Sequence, residues 1–98
     1  MSLTLLNDDE IREGLLQLDG WTREGPEIMK RFGFPDYAAS MAFANRVAEL
    51  AEAADHHPDM LITYDQVTLT LATHSAGGLT RKDLELAGRI ERAAAPES

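Results

Sequence analysis

Three histidines carry the chemistry this chain offers near neutral pH, and two of them are adjacent: His56, His57 and His74. Free imidazole titrates near 6.5, so small perturbations decide which histidine acts as acid and which as base. Such a set can take a proton from one substrate atom and deliver one to another, which is general acid–base catalysis. The absence of cysteine excludes thiol nucleophiles, Cys-ligated zinc, iron–sulfur clusters and a disulfide scaffold. A zinc site with Asp55 or Asp59 as fourth ligand is a sharper rival. Against it, neighbours in an extended segment point to opposite faces, so His56 and His57 would not easily converge on one ion. The plain structural alternatives are a turn residue in His57, a strand end in His74 and a helix cap in Asp83.

These residues need elements to position them. A first helix is expected from Asp8 to Leu18, with Asn7 and Glu10 as a capping box and Ile11, Leu15 and Leu18 on one face. Trp21–Arg23 and Ile28–Phe34 read as strands joined across the turn-rich Glu24-Gly25-Pro26-Glu27. The longest helix spans Asp36–Asp55, with Tyr37, Met41, Ala44, Val47, Leu50 and Ala51 as its apolar stripe. Pro58 disfavours helical geometry at His57, so the helix stops at the two histidines.

A hairpin follows, Met60, Ile62 and Tyr64 alternating on one strand and Val67, Leu69 and Leu71 on the next. A turn at Asp65-Gln66 sets Tyr64 opposite Val67 and Ile62 opposite Leu69. The same ladder, continued, brings His57 opposite His74, where Cβ atoms would lie about 4.5–5.5 Å apart. The third helix runs from Thr80 to Ala94, with Thr80 as N-cap, Asp83 near capping-box position and Leu79 with Leu84 as a hydrophobic staple. The tail Ala93–Ser98, with Pro96, is expected to fray. The sum is an α+β domain, 1–98, in two layers: a four-stranded antiparallel sheet with three helices on one face.

Composition narrows the partners. Seventeen acidic against nine basic residues give a net charge of −8, which repels nucleic acid and anionic membranes. No apolar run reaches the roughly 18–20 residues of a membrane span, and Met1–Leu6 has neither the basic region nor the apolar core of a signal peptide. The expectation is a cytoplasmic protein.

Taken together, Glu52, His56-His57-Pro58, Tyr64, His74 and Asp83 at these spacings resemble the signature of the pterin-4a-carbinolamine dehydratase family. Gly20-Trp21, Phe32-Gly33-Phe34, Phe43, Val47-Ala48, Ala51-Glu52 and the stretch from Thr73 to Thr80 resemble family positions too. The resemblance implies dehydration of 4a-hydroxytetrahydrobiopterin to quinonoid dihydropterin, in recycling of the cofactor of aromatic amino acid hydroxylases. It implies His56, His57 and His74 as catalytic residues supported by Asp83, Pro58 and Glu52, with no cofactor and no metal. It also implies a homodimer or homotetramer. The alternative within the same fold is a non-catalytic dimerisation or assembly factor.

Overall fold

The computed structural model describes residues 4–94. In chain order these form α1 (Asp8–Leu16), β1 (Thr22–Glu24), β2 (Glu27–Gly33), α2 (Tyr37–Ala54), β3 (Asp59–Thr63), β4 (Gln66–Leu71), a 3-10 turn (His74–Ala76) and α3 (Arg81–Ala94).

Short polar side chains set the helix starts. At α1 the expected capping box is complete: Glu10 N–H donates to Asn7 Oδ1 at 2.8 Å and Asn7 N–H to Glu10 Oε1 at 2.9 Å. Asp36 caps α2, accepting from Ala39 N–H at 2.8 Å. Helix α1 ends at Leu16 rather than Leu18, because its last turn tightens into bonds from Gln17 N–H to Gly14 O and from Leu18 N–H to Leu15 O. This tightening satisfies terminal carbonyls, and it turns Leu18 into the core.

The sheet order is β1-β2-β4-β3, with every neighbouring pair antiparallel. Ile28 and Phe32 of β2 and Val67, Leu69 and Leu71 of β4 are buried on one face. Against them pack Ile11 of α1, Phe43 and Val47 of α2, and Leu86 and Ile90 of α3. The buried stripe of α2 is Ser40, Phe43, Ala44, Val47 and Ala51. It is rotated from the expected one. Phe43 fills the space between Phe32 and Phe34, at ring-centroid distances of 4.8 and 5.0 Å. Tyr37 stays 52% exposed and stacks on Tyr64.

The β3–β4 register corrects the sequence reading. Ile62 faces Val67, Met60 faces Leu69 and Thr63 faces Gln66, so the turn is Tyr64-Asp65. The cause is non-local. Gln66 also pairs with Gly33 of β2, and Phe34 N–H donates to Asp65 O at 2.8 Å, which draws Gln66 into the sheet. The slip is an even number of residues, so each side chain keeps its face. The ladder stops at Asp59↔Thr70, and His57 therefore does not pair opposite His74.

As an outer strand, β3 leaves Met60 38% and Leu61 62% exposed. Ala93 and Ala94 of the expected frayed tail are helical, while residues 95–98, with Pro96, lie outside the described residues. Among the described residues no helix is long and apolar enough to cross a membrane.

Candidate active site

The C-terminus of α2 presents the paired histidines. Asp55 adopts left-handed geometry at φ 50°, donating its N–H to Glu52 O, while His56 N–H reaches back to Ala51 O at 3.1 Å. This is a Schellman closure. Aspartate tolerates the left-handed region better than most residues. The reversal ends the helix one residue before His56, and Pro58 then leads the chain into β3.

His56 turns inward. Its Nε2 lies 2.5 Å from Asp83 Oδ1, with the His56 side chain 11% and the Asp83 side chain 0% exposed. A carboxylate oxygen only accepts, so Nε2 carries the hydrogen, and in the neutral imidazole Nδ1 is then the acceptor. The other carboxylate oxygen, Oδ2, accepts from Thr73 Oγ1–H at 2.8 Å and from Thr80 N–H at 2.9 Å. With Thr73 thus donating, the Thr80 hydroxyl must donate to Thr73 Oγ1, 2.8 Å away. Every member of this buried network is satisfied, as a low-dielectric site requires. Asp83 therefore does two things. It closes the α3 start as the expected capping partner of Thr80, and it ties α3 to the α2 terminus through His56 and to the end of β4 through Thr73.

His57 turns outward. Its Nε2–H donates to Glu52 Oε2 at 2.5 Å, and the two side chains are 56% and 76% exposed. The same logic leaves Nδ1 of His57 as an open acceptor. His74 is exposed at the start of the 3-10 turn, which is clipped by the bridge between Thr73 and Gly78.

The structure thus gathers Glu52, His56, His57, Pro58, His74 and Asp83 at one end of the sheet, where β3 begins and β4 ends. A covalent and hydrogen-bonded path runs from His56 through Asp83 and Thr73 to His74. Among the described residues His56 and His74 each line a cavity of their own. His56 lines one of about 170 Å³ between α2 and α3, and His74 another of about 180 Å³ beside Ala72 and Gly78. Among the described residues no cluster of three His, Asp or Glu side chains could hold a metal ion. Sequence reasoning gave no role to Thr73. It lies ten positions from Asp83, and its signals were its place before His74 and in the stretch that resembles family positions.

Comparison with known proteins decides the family. The model of the pterin 4 alpha carbinolamine dehydratase family matches residues 4–93. The chain belongs to that family. A pterin-4-alpha-carbinolamine dehydratase, so named provisionally, from Roseiflexus castenholzii is 56% identical over 89% of this chain and 94% of its own length. One from Nocardia farcinica, under the same provisional name, is 47% identical over 96% of this chain and 99% of its own. The crystal structure of a transcriptional coactivator/pterin dehydratase from Brucella melitensis superposes with a TM-score of 0.90 at 35% identity, covering 94% of this chain and all of that one. A pterin dehydratase-like protein described as a RuBisCO assembly factor in the alpha-carboxysome is more distant. Its TM-score is 0.64 at 27% identity, over 79% of this chain and 89% of its own. The family model thus runs through residues 4–93, histidine end included.

Proposed function

We propose that this chain, acting as one catalytic domain over residues 1–98, dehydrates 4a-hydroxytetrahydropterins to quinonoid dihydropterins. The observation that carries the reading is the pair of adjacent imidazoles, each fixed through Nε2 by its own carboxylate, one buried and one facing water. In the reaction the C4a–O bond breaks, its electron pair leaving with the protonated hydroxyl as water. N5 loses its proton, and the electron pair of that N–H bond forms the C4a–N5 double bond. The balance is one water lost and no change of oxidation state, so the step calls for proton donors and acceptors alone.

His57 is the main acid/base group. Its position beside Glu52 leaves Nδ1 open to a pterin from solvent. His74, exposed on its turn, binds and polarises the ring edge. His56 is the second proton-transfer group and works through Nδ1, because Nε2 is committed to Asp83. The substrate is a small pterin, the location cytoplasmic, and the working state a homo-oligomer that serves cofactor recycling after aromatic amino acid hydroxylation. A second reading, a protein-binding factor of the same fold, draws on the coactivator and assembly-factor descriptions of the two structural neighbours. Purified protein added to freshly generated 4a-carbinolamine should speed its decay in proportion to enzyme concentration. A decay rate unchanged from the uncatalysed value would leave the protein-binding reading in its place.

A further inference from the structure

A groove of about 490 Å³ runs between the C-terminal end of α1 and the outer side of α3, larger than the cavities beside His56 and His74 and lined by neither histidine. Arg81, Arg89 and Arg92 line it. Among the described residues none of the three has a carboxylate within ion-pair distance. That is unexpected in a chain with seventeen acidic and only nine basic residues, where a free guanidinium has many candidate partners.

The floor of the groove is also unusual. At Gly14 a Cβ would come within 2.4 Å of Leu84 Cδ1, so a larger residue there would have to displace the Leu84 side chain, and this close approach of α1 to α3 closes the base. Gly88 lies in the middle of α3, where glycine weakens a helix relative to alanine. Yet a Cβ on Gly88 would meet no heavy atom within 4 Å, so internal packing gives no reason for it. At about 100° per residue, Arg81, Gly88 and Arg92 fall on one stripe, with the bare glycine between the two cations.

We propose that this groove is a docking site for a short acidic–apolar–acidic peptide segment of a protein partner. Charge complementarity and length select this occupant. Arg81 and Arg92 are separated by about 16 Å along the helix axis, at ~1.5 Å per residue. A single phosphate or carboxylate cannot reach both, whereas an extended peptide of about five residues, rising ~3.3 Å each, spans them. Glu85, also on the groove wall, repels a carboxylate at the centre. The half-buried floor of Gly88 and Leu84 accepts an apolar side chain and close backbone there. Exposed guanidiniums pair well with carboxylates because their fork of donors matches both oxygens. This inference is independent of the dehydratase reading.

The test uses the full chain and a fluorescein-labelled peptide with two glutamates at either end of a leucine-containing middle, followed by anisotropy at low salt. Wild-type protein should bind it, and binding should weaken as salt rises. Arg81→Glu with Arg92→Glu should weaken binding by about tenfold or more, the combined weight of two exposed ion pairs. Glutamate at the first position of α3 suits the helix dipole, while glutamate in the last turn, at Arg92, opposes it by about 0.3–1 kcal/mol, so circular dichroism must show this variant as helical as wild type before its binding is read. Gly88→Leu fills the bare floor without touching a charge, and it should weaken binding while circular dichroism is unchanged. Absence of wild-type binding, binding indifferent to both variants, or equal competition by inorganic phosphate or by an oligothymidylate would overturn the proposal.

Discussion

Replacing Asp83 by alanine removes the acceptor for three donors at once: His56 Nε2–H at 2.5 Å, Thr73 Oγ1–H at 2.8 Å and Thr80 N–H at 2.9 Å. Their fates differ. Thr73 Oγ1 keeps Thr80 Oγ1 as a neighbour at 2.8 Å, so it is not orphaned. The Thr80 amide remains buried with no acceptor, which costs about 1–3 kcal/mol, and the lost charge-assisted bond to His56 adds about 1.5–3 kcal/mol. The expected loss is therefore about 2.5–6 kcal/mol, which brackets the about 3–5 kcal/mol found when one partner of a buried ion pair is deleted. An ordinary N-terminal cap costs only about 0.5–2 kcal/mol. Against a total stability of about 5–15 kcal/mol, the variant still folds at low temperature but melts far earlier. Asp83→Asn is the informative companion. Its single carbonyl oxygen can keep Thr73 and Thr80, but its amide then faces His56 and imposes the opposite imidazole tautomer. Urea unfolding at 25 °C measures both variants, and 15N correlation spectra of the imidazoles read the tautomer. A loss below about 1 kcal/mol for Asp83→Ala, within the reach of an ordinary cap, would refute the argument.

Other expectations follow from the same geometry. His74→Ala, on an exposed turn, should raise KM by up to about tenfold, the weight of one hydrogen bond, with little change in kcat. Steady-state kinetics separate the two, and a kcat collapse at unchanged KM would contradict the binding role. Light scattering should give two or four times the 10.8 kDa chain mass. The outer strand β3 leaves Leu61 62% exposed, and such an edge is a liability unless a neighbour covers it. A monomer mass would contradict this. The Asp8 carboxyl is held below its ordinary value of 3.8 by its hydrogen bond and charge pairing with Arg23. A lowered folded-state value means that its stabilisation is full above the ordinary value and is lost as pH falls through the folded one. Asp8→Asn should therefore flatten the acid limb of the stability profile only below about pH 4, a window that follows from the ordinary carboxylate range.

The legible parts of the fold were those written within a few residues. The Asn7–Glu10 box and the return of Asp83 to Thr80 N–H each span three positions, so residue type and spacing suffice to find them. The facing of the hairpin was legible for a similar reason, because alternation survives an even slip. The register was not. Turns at Tyr64-Asp65 and Asp65-Gln66 satisfy the same alternation, and the choice rests on Gly33 at the end of β2 and on Phe34 just after it, which engage Gln66 and Asp65 from more than thirty positions away. Of the candidate site, the spaced signature named residues that the fold sets where β3 begins and β4 ends, apart from Tyr64, which lies in the β3–β4 turn. The partition of roles, His56 inward to Asp83 and His57 outward to Glu52, depended on the left-handed turn at Asp55. No periodicity announces a non-glycine residue in that conformation.

The most direct test of the central claim is the turnover of 4a-carbinolamine by His57→Ala beside wild type. His57 and Glu52 form an exposed pair, and such pairs contribute only about 0–1 kcal/mol to stability. The variant should therefore match wild type in melting temperature, and any loss of rate reports on chemistry. A positioned proton-transfer group is worth roughly 10²–10⁴-fold, and kcat should fall within that range. A His57→Ala protein that dehydrates the carbinolamine at the wild-type rate would contradict the account.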